Sequence, residues 1–438
     1  MQKTLFYTLV AAALAAAAIS GAPALAARGV GAAAMLFFLG ATIPRLGTQG
    51  RLLVAIIVPL GHALILGFSP AFDTWASAMS TGGNFALLIG AVPLAASFIR
   101  MERVGEARPG ASGRRLSLPR IGIIQFGLSI ALSLGSLWVA RPLYDSLSAP
   151  TGSRYRTVAA AYSSNVAFSP LDAMVNLVLV LAGLTYAQFM PFGLGLALLI
   201  VTATAAVELG LRIRRHVRGT GRAAQPAAPI EGLGAVLVRT AALIVLVIAG
   251  KSLLGMANEV LETGIVLAVV SVALILLVHG PRALRAAVAD HANGLGQLMP
   301  AFALIGSALF FAGAVGDSPV GEAIVTAGET LAALPGPLGA LSIIAFTALL
   351  AAAGVHMVLT VATLGAVLSP GVLGISAPAF GFLLITSYIV AMNLSPFVPF
   401  TIASAEVNGG RGPFTTIRHD FPVWVIVAAV GGLVVGFL

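Results

Sequence analysis

The chain has 438 residues and a mean hydropathy of +1.02, and only 9% of its residues are charged. Soluble domains carry about 25% charged residues, so this composition excludes a soluble globular protein and predicts an all-α polytopic membrane protein. Cysteine is absent, which excludes disulfides, thiolate metal ligands and thiol catalysis. The net charge of +9 reflects arginines clustered in short loops, as the positive-inside rule expects, and we predict no nucleic-acid binding.

Residues 1–27 have the features of a secretory signal. Lys3 precedes an apolar stretch, and Ala24-Leu25-Ala26 fits a small-residue cleavage site. Residues 5–20 equally fit an extra N-terminal membrane helix that stays in the mature protein, and we favour this second interpretation.

Apolar segments then recur, each long enough or nearly so to cross about 30 Å of hydrocarbon at about 1.5 Å per residue. In the first half the predicted spans are 30–43, 52–68, 75–99, 121–140 and 189–211. In the second half they are 233–254, 259–278, 295–315, 338–368 and 421–438. Between the fourth and fifth span of each half lies an apolar segment that polar residues interrupt, 157–188 in the first half and 377–408 in the second.

The first interrupted segment, 157–188, carries a cluster of polar side chains in its middle. These candidates are Ser163, Ser164, Asn165, Ser169 and Asp172. Non-helical backbone at membrane depth leaves N–H and C=O groups unsatisfied, so a break persists only where protein or a water-filled cavity covers it. Such breaks usually line a site.

The Ser169-Pro170 pair predicts the start of a second half-helix after the break. A serine oxygen caps well, and proline loses no hydrogen bond at the first helical position. Asp172 then fits two roles, a capping carboxylate or a carboxylate that takes part in ion coupling.

The second interrupted segment, 377–408, repeats the pattern. Asn393 precedes Ser395-Pro396, and Thr401 follows in the predicted half-helix. Asn and Ser side chains suit a small cation, so Asn165 and Asn393 are the candidate ligands for Na⁺.

His356 lies within the predicted span 338–368, and Thr360 follows it at i+4, which predicts that the two share a helix face. An ionisable residue inside a membrane is a candidate site, so His356 fits a proton relay. A hydrogen bond to a neighbouring helix is the alternative. In the earlier spans, Gly82 fits either a third unwound point or a helix packing contact. We expect Glu208 to pair with the arginines that follow it.

Two arginine-rich stretches, 100–120 and 212–222, decide the predicted topology. If 157–188 crossed the membrane fully, one of the two arginine-rich stretches would lie outside the cell. If 157–188 is a re-entrant hairpin, both arginine-rich stretches lie in the cytoplasm, which is what the positive-inside rule favours. Five spans plus one hairpin in each half then give two inverted repeats, because an odd number of crossings reverses the orientation. The predicted repeats are 28–211 and 233–438, joined by a cytoplasmic linker at 212–232.

This arrangement resembles the ion transporter superfamily of secondary carriers, which includes citrate, dicarboxylate and related organic-anion carriers. The resemblance rests on the layout of five spans plus a hairpin, and on Ser163-Ser164-Asn165 and Asn393-Leu394-Ser395-Pro396 in the two breaks. It implies that small polar residues and exposed backbone at the breaks bind the coupling ion and substrate carboxylates. Neither hairpin has a Ser-Asn-Thr triplet or a Gly-Gly-x-Gly tip, so no subfamily is assigned.

We therefore predict a secondary active transporter of a small organic anion, coupled to Na⁺ or H⁺ and needing no other cofactor. A bacterial inner membrane is the expected location, and a homodimer is the expected assembly. One alternative is a cation/proton antiporter that uses Asp172, and another is a membrane scaffold or an intramembrane enzyme subunit. The sequence has no Gly-rich phosphate loop with Lys-Ser/Thr and no His-Glu-x-x-His, so we expect no catalytic residues.

Overall fold

A computed structural model of the chain describes most of the residues from 48 onward. The described residues are 35, 48–68, 72–100, 117–132, 136–137, 144, 151–170, 172–217, 233–254, 259–316, 318–334, 337–407, 410 and 412–438. The predicted helix or signal at 1–27, most of the span at 30–43 and the linker from 218 to 232 lie outside them.

Every regular element in the described residues is an α-helix. In chain order the helices of the first half are α1 (Thr48–Phe68), α2 (Phe72–Arg100), α3 (Leu118–Leu132), α4 (Thr151–Phe168), α5 (Ala173–Ala182) and α6 (Tyr186–Val217). Those of the second half are α7 (Leu233–Leu254), α8 (Glu259–Gly316), α9 (Pro319–Ala332), α10 (Leu338–Ala352), α11 (Met357–Val367), α12 (Pro370–Leu373), α13 (Ala377–Leu394), α14 (Pro399–Val407) and α15 (Pro413–Phe437).

Four stretches of the described helices are long and apolar enough to cross a membrane: Tyr186–Arg214, Glu262–Ala289, Ala377–Leu394 and Pro413–Phe437. The stretch in α6 has a mean hydropathy of 2.1, yet only 28% of it is buried in the protein, so apolar side chains such as Leu198 are exposed. An apolar helix with an exposed apolar face suits contact with lipid. The chain is accordingly an all-α polytopic membrane protein.

The chain divides into two compact units, and each takes helices from both halves of the sequence. The first unit contains α1, α2 and α8, and the second contains α3 to α6, α10 and α12 to α15. The remaining helices α7, α9 and α11 are divided between the units.

In the first unit, α8 packs against α1 and α2. Gly82 lies at the closest approach, where a Cβ atom would come 2.8 Å from the Gly306 carbonyl oxygen. Small residues allow helix backbones to approach this closely in membranes, so Gly82 is a packing residue. His62 also has a structural role, because its Nδ1 bonds the Val58 carbonyl (2.8 Å) and its Nε2 accepts the Trp75 indole N–H (3.2 Å).

Three predicted boundaries in the second half were wrong. The loop expected between spans 259–278 and 295–315 is helical on both sides of Gly280, whose non-helical backbone (φ 80°, ψ 177°) divides α8 into two helices. Proline at 281 suits the first position of the helix that follows the kink. No helix was predicted between the spans 295–315 and 338–368, but residues 319–332 form α9. The predicted span 338–368 is two helices, α10 and α11, separated at Gly354 (φ 97°).

In the second unit, α13 is the central helix and packs against α4, α5, α6, α10 and α15. Its membrane-length stretch has a mean hydropathy of 1.6 and is 78% buried in protein. Two glycines bring neighbours close: a Cβ atom on Gly381 would lie 2.9 Å from Leu184, and one on Gly431 would lie 2.8 Å from Thr386. Polar residues on α13 are therefore enclosed by protein.

Candidate functional site

The first break lies between the end of α4 at Phe168 and the start of α5 at Ala173. Ser163, Ser164 and Asn165 were expected within the non-helical stretch, but they are helical residues in the last two turns of α4. All three are buried. Only Ser169 and Asp172, of the residues predicted for this segment, lie in the break itself.

The expectation that Ser-Pro opens the second half-helix was also wrong. Asp172 is the N-cap of α5, with extended backbone (φ −83°, ψ 130°) and a carboxylate that accepts the Met174 N–H at 2.9 Å. Ser169 instead makes the last helical bond of α4, from its N–H to the Asn165 carbonyl at 2.9 Å. A residue before proline is disfavoured in the helical region, so a Ser-Pro pair ends the helix that precedes it.

Donors from the protein satisfy the carbonyl groups that this break releases. Tyr186 Oη donates to the Phe168 carbonyl at 2.8 Å. The buried Asn176 side chain donates to the carbonyls of Pro170 and Asp172, both at 2.9 Å. Carbonyls freed at the break were expected to be available to a sodium ion, but these three are already hydrogen-bonded.

The second break separates α13, which ends at Leu394, from α14, which begins at Pro399. Ser395 is the C-cap of α13 with extended backbone (φ −89°, ψ 125°), and its hydroxyl donates to the Ala351 carbonyl of α10 at 2.7 Å. Thr401 Oγ1 donates to the Met392 carbonyl at 3.1 Å. Both hydroxyls therefore stabilise backbone next to the break.

The structure brings α4 and α13 into direct polar contact. Asn393 Nδ2 donates to Ser163 Oγ at 2.9 Å and to the Ile389 carbonyl of its own helix at 2.8 Å. Two residues after Ser163, Asn165 Nδ2 donates to the Ser129 carbonyl of α3 at 3.1 Å. Ser164 points to α6, where its hydroxyl lies 3.4 Å from the Ala197 carbonyl. We call Ser163, Asn165 and Asn393 the amide cluster.

The two asparagines of the amide cluster share an unusual feature. Each uses its NH₂ group within the protein, whereas Asn165 Oδ1 and Asn393 Oδ1 have no hydrogen-bond partner among the described residues. The residues are only 2% and 3% exposed, so neither oxygen has ready access to bulk water. Buried polar atoms are normally paired, and an unpaired one is a candidate contact for a bound ion or ligand.

Sequence reasoning missed two further polar residues of α13. The hydroxyl oxygens of Thr386 and Ser387 are also buried without a hydrogen-bond partner among the described residues. Thr386 precedes Asn393 by seven residues, a spacing that places both on one side of a helix. That spacing was the signal available in the sequence.

His356 does not share a helix face with Thr360, contrary to expectation. The chain turns at Gly354, and His356 precedes the first residue of α11, where its Nδ1 accepts the Val358 N–H at 3.3 Å. The ring therefore caps α11, which requires an unprotonated Nδ1. Thr360 is buried in α11, and its hydroxyl has no hydrogen-bond partner in the described part of the chain.

Comparisons with known proteins give a likeness of fold. The structure is similar to that of the YdaH transporter of Alcanivorax borkumensis, described as having an unusual topology, with a TM-score of 0.53 and 14% sequence identity. The match covers 89% of this chain and 97% of that one. Neither a protein-family model nor a curated relative matches the sequence.

Proposed function

We propose that this protein is a secondary active transporter that moves a small organic anion, a carboxylate, coupled to Na⁺ or H⁺. The observation that carries the proposal is the amide cluster, in which two buried amide oxygens from helices of different sequence halves have no partner among the described residues. The likeness in fold to the YdaH transporter supports the same class of function.

The amide cluster suits a cation better than the break carbonyls do. Hard cations bind oxygen ligands, and Asn165 Oδ1 and Asn393 Oδ1 are the unpaired amide oxygens here. The NH₂ groups are held by Ser129, Ser163 and Ile389, which fixes the orientation of both amides. Preoriented oxygens lower the entropy lost when an ion binds. Na⁺ at Asn165 and Asn393 is therefore our proposal for the coupling ion.

The second break is a better binding site for a substrate carboxylate than the first break. The N-terminus of α5 already has the Asp172 carboxylate as its cap, and this negative charge opposes a bound anion. The N-terminus of α14 follows Val398, whose side chain has no acceptor. Helix N-termini attract anions through their free N–H groups, so we place the carboxylate of the substrate near the start of α14.

The order of helices supports the proposed inverted repeats. In the first half, α4, a break, α5 and α6 have 18, 10 and 32 residues, and in the second half α13, a break, α14 and α15 have 18, 9 and 25. Two such repeats of opposite orientation bring their breaks together near the bilayer midplane, where secondary transporters bind substrate. Alternating access then exposes the amide cluster to one side at a time.

Uptake into proteoliposomes tests this function. Purified protein is reconstituted and given a panel of labelled carboxylates, with and without an inward Na⁺ or pH gradient. We expect one or more carboxylates to accumulate only with a gradient, and Asn165→Ala and Asn393→Ala to reduce that accumulation. Thr347→Ala is the matched control, because the buried Thr347 hydroxyl bonds only the Ile343 carbonyl of its own helix. No accumulation of any carboxylate by the native protein, under either gradient, would refute the proposal.

A further inference from the structure

A buried charge cluster lies in the second unit, away from the residues of the amide cluster. It was not expected from the sequence, in which Arg156 lies just outside the predicted segment 157–188. Arg156 is instead a residue of α4, only 4% exposed, and its Nε donates to Glu208 Oε1 of α6 at 2.6 Å. Glu208 therefore pairs with Arg156 rather than with the arginines that follow it. Ser153 Oγ also donates to Glu208, at 3.0 Å to Oε2.

The third helix of this cluster is α15. Arg156 Nη1 donates to the His419 carbonyl at 2.8 Å, which places Arg156 beside Asp420, the next residue of α15. Pro422 lies inside α15 and has no N–H to give to the carbonyl four residues earlier, so the helical hydrogen-bond ladder is interrupted at this point. Arg156 thus binds α15 beside a local weakness in its backbone.

The charges in the cluster do not balance when both acids are ionised. One guanidinium then faces two carboxylates, and Asp420 is only 2% exposed. Asp420 Oδ1 has no hydrogen-bond partner among the described residues. A buried carboxylate with an unpaired oxygen is strongly disfavoured, and two carboxyl groups near one another readily share a single proton.

Other titratable residues lie close to Asp420 in the chain or on packed helices: Arg418 and His419 on α15, Arg154 and Tyr155 on α4, and Arg212 and Arg214 on α6. Tyr155 of α4 stacks on the neighbouring His419, with ring centroids 5.7 Å apart. Among the other helices packed against α15, α10 has no titratable residue, α13 carries Tyr388, and Glu406 of α14 is exposed. A proton on Asp420 would bring the group formed by Arg156, Glu208 and Asp420 to a net charge of zero.

We propose that Asp420 is a reversible proton-binding site, governed by the Arg156–Glu208 ion pair, which links α4, α6 and α15. When Asp420 releases its proton, its carboxylate competes with Glu208 for the Arg156 guanidinium. The contacts among the three helices then differ between the two protonation states. Intramembrane acids commonly mark proton pathways. A role for this proton in driving substrate transport rests on the proposed transport function, whereas the existence of the proton-binding site does not.

Infrared titration of the full-length protein in lipid nanodiscs tests the site with the proton alone as the probe. We expect a carboxylic-acid C=O band that disappears as the pH rises and that Asp420→Asn removes entirely. Glu406→Gln, which changes an exposed acid on a neighbouring helix, is the matched control and should keep the band. Glu208→Gln frees Arg156 to stabilise the ionised Asp420, so the band should disappear at a pH lower by about one unit.

Three results would overturn the proposal. One is the absence of any band sensitive to Asp420→Asn, and another is such a band that does not titrate. The third is a titration midpoint that changes when Na⁺ replaces K⁺, which would make Asp420 a cation ligand instead. Failure of the uptake experiment refutes the transport function but leaves this titration unaffected, so the two proposals fail separately.

Discussion

Energetic coupling between Asn165 and Asn393 is the sharpest test of the amide cluster. Replacing either residue by Ala removes one unpaired amide oxygen and one or more buried donors, to Ser129 in the first case and to Ser163 and Ile389 in the second. The loss of a buried polar contact costs about 1–3 kcal/mol, which is about 5- to 150-fold in Na⁺ affinity. We expect each single variant to fall in this range.

The double variant should depart from additivity. In the proposed function both amide oxygens bind one Na⁺, so the two substitutions remove ligands of the same ion. Residues in one network show coupling of about 0.5–3 kcal/mol. Ser163→Ala is a milder probe, because it keeps both amide oxygens and removes only the acceptor of Asn393. Its effect should nearly vanish in the Asn393→Ala background.

Binding of radioactive Na⁺ to purified protein, measured by scintillation proximity over a range of Na⁺ concentrations, gives the affinities of all variants. Thr347→Ala again serves as the control for general damage to the second unit. Native affinity in either single asparagine variant would refute the reasoning. Losses in the double variant that add to within about 0.3–0.5 kcal/mol would show that the two asparagines do not share a ligand.

Three further predictions concern structure and topology. Asn176→Leu should destabilise the protein by about 1–3 kcal/mol, because it removes the donor to the Pro170 and Asp172 carbonyls; an unchanged midpoint of thermal unfolding would exclude that role. Gly193→Ala should lower the free energy of unfolding by about 1–3 kcal/mol, because its Cβ atom would lie 2.6 Å from the Ala167 carbonyl oxygen. Gly195→Ala is the control, since its Cβ atom would have nothing within 4 Å and should not destabilise the fold. Equal melting temperatures of the two variants would contradict the packing argument. Single cysteines at positions 114 and 215 should both resist an impermeant maleimide in intact cells, and labelling of either would exclude the predicted re-entrant hairpin.

The composition of the chain was enough to predict its structural class. A low charged fraction and long apolar runs are properties of the chain itself, so the all-α membrane class followed from the sequence. Both Ser-Pro pairs lie at breaks, but each ends the helix before it, because proline restricts the residue that precedes it. The prediction that they open the next helix was wrong. The break at Gly354 was missed, since glycine in an apolar run is usually a packing residue and no proline accompanies it.

Tertiary structure alone decided which polar atoms are satisfied. Nothing local to Asn176 or Tyr186 indicates that they satisfy carbonyls at the break, and nothing near Asn393 indicates that it bonds Ser163, 230 residues earlier. The same holds for Arg156, whose polar sequence surroundings are typical of a loop but which is buried against Glu208. Hydropathy and proline act through the chain itself, so the sequence was enough to locate the breaks. Hydrogen bonds and ion pairs depend on the three-dimensional position of both partners, so only the fold showed which oxygens beside the breaks remain unpaired.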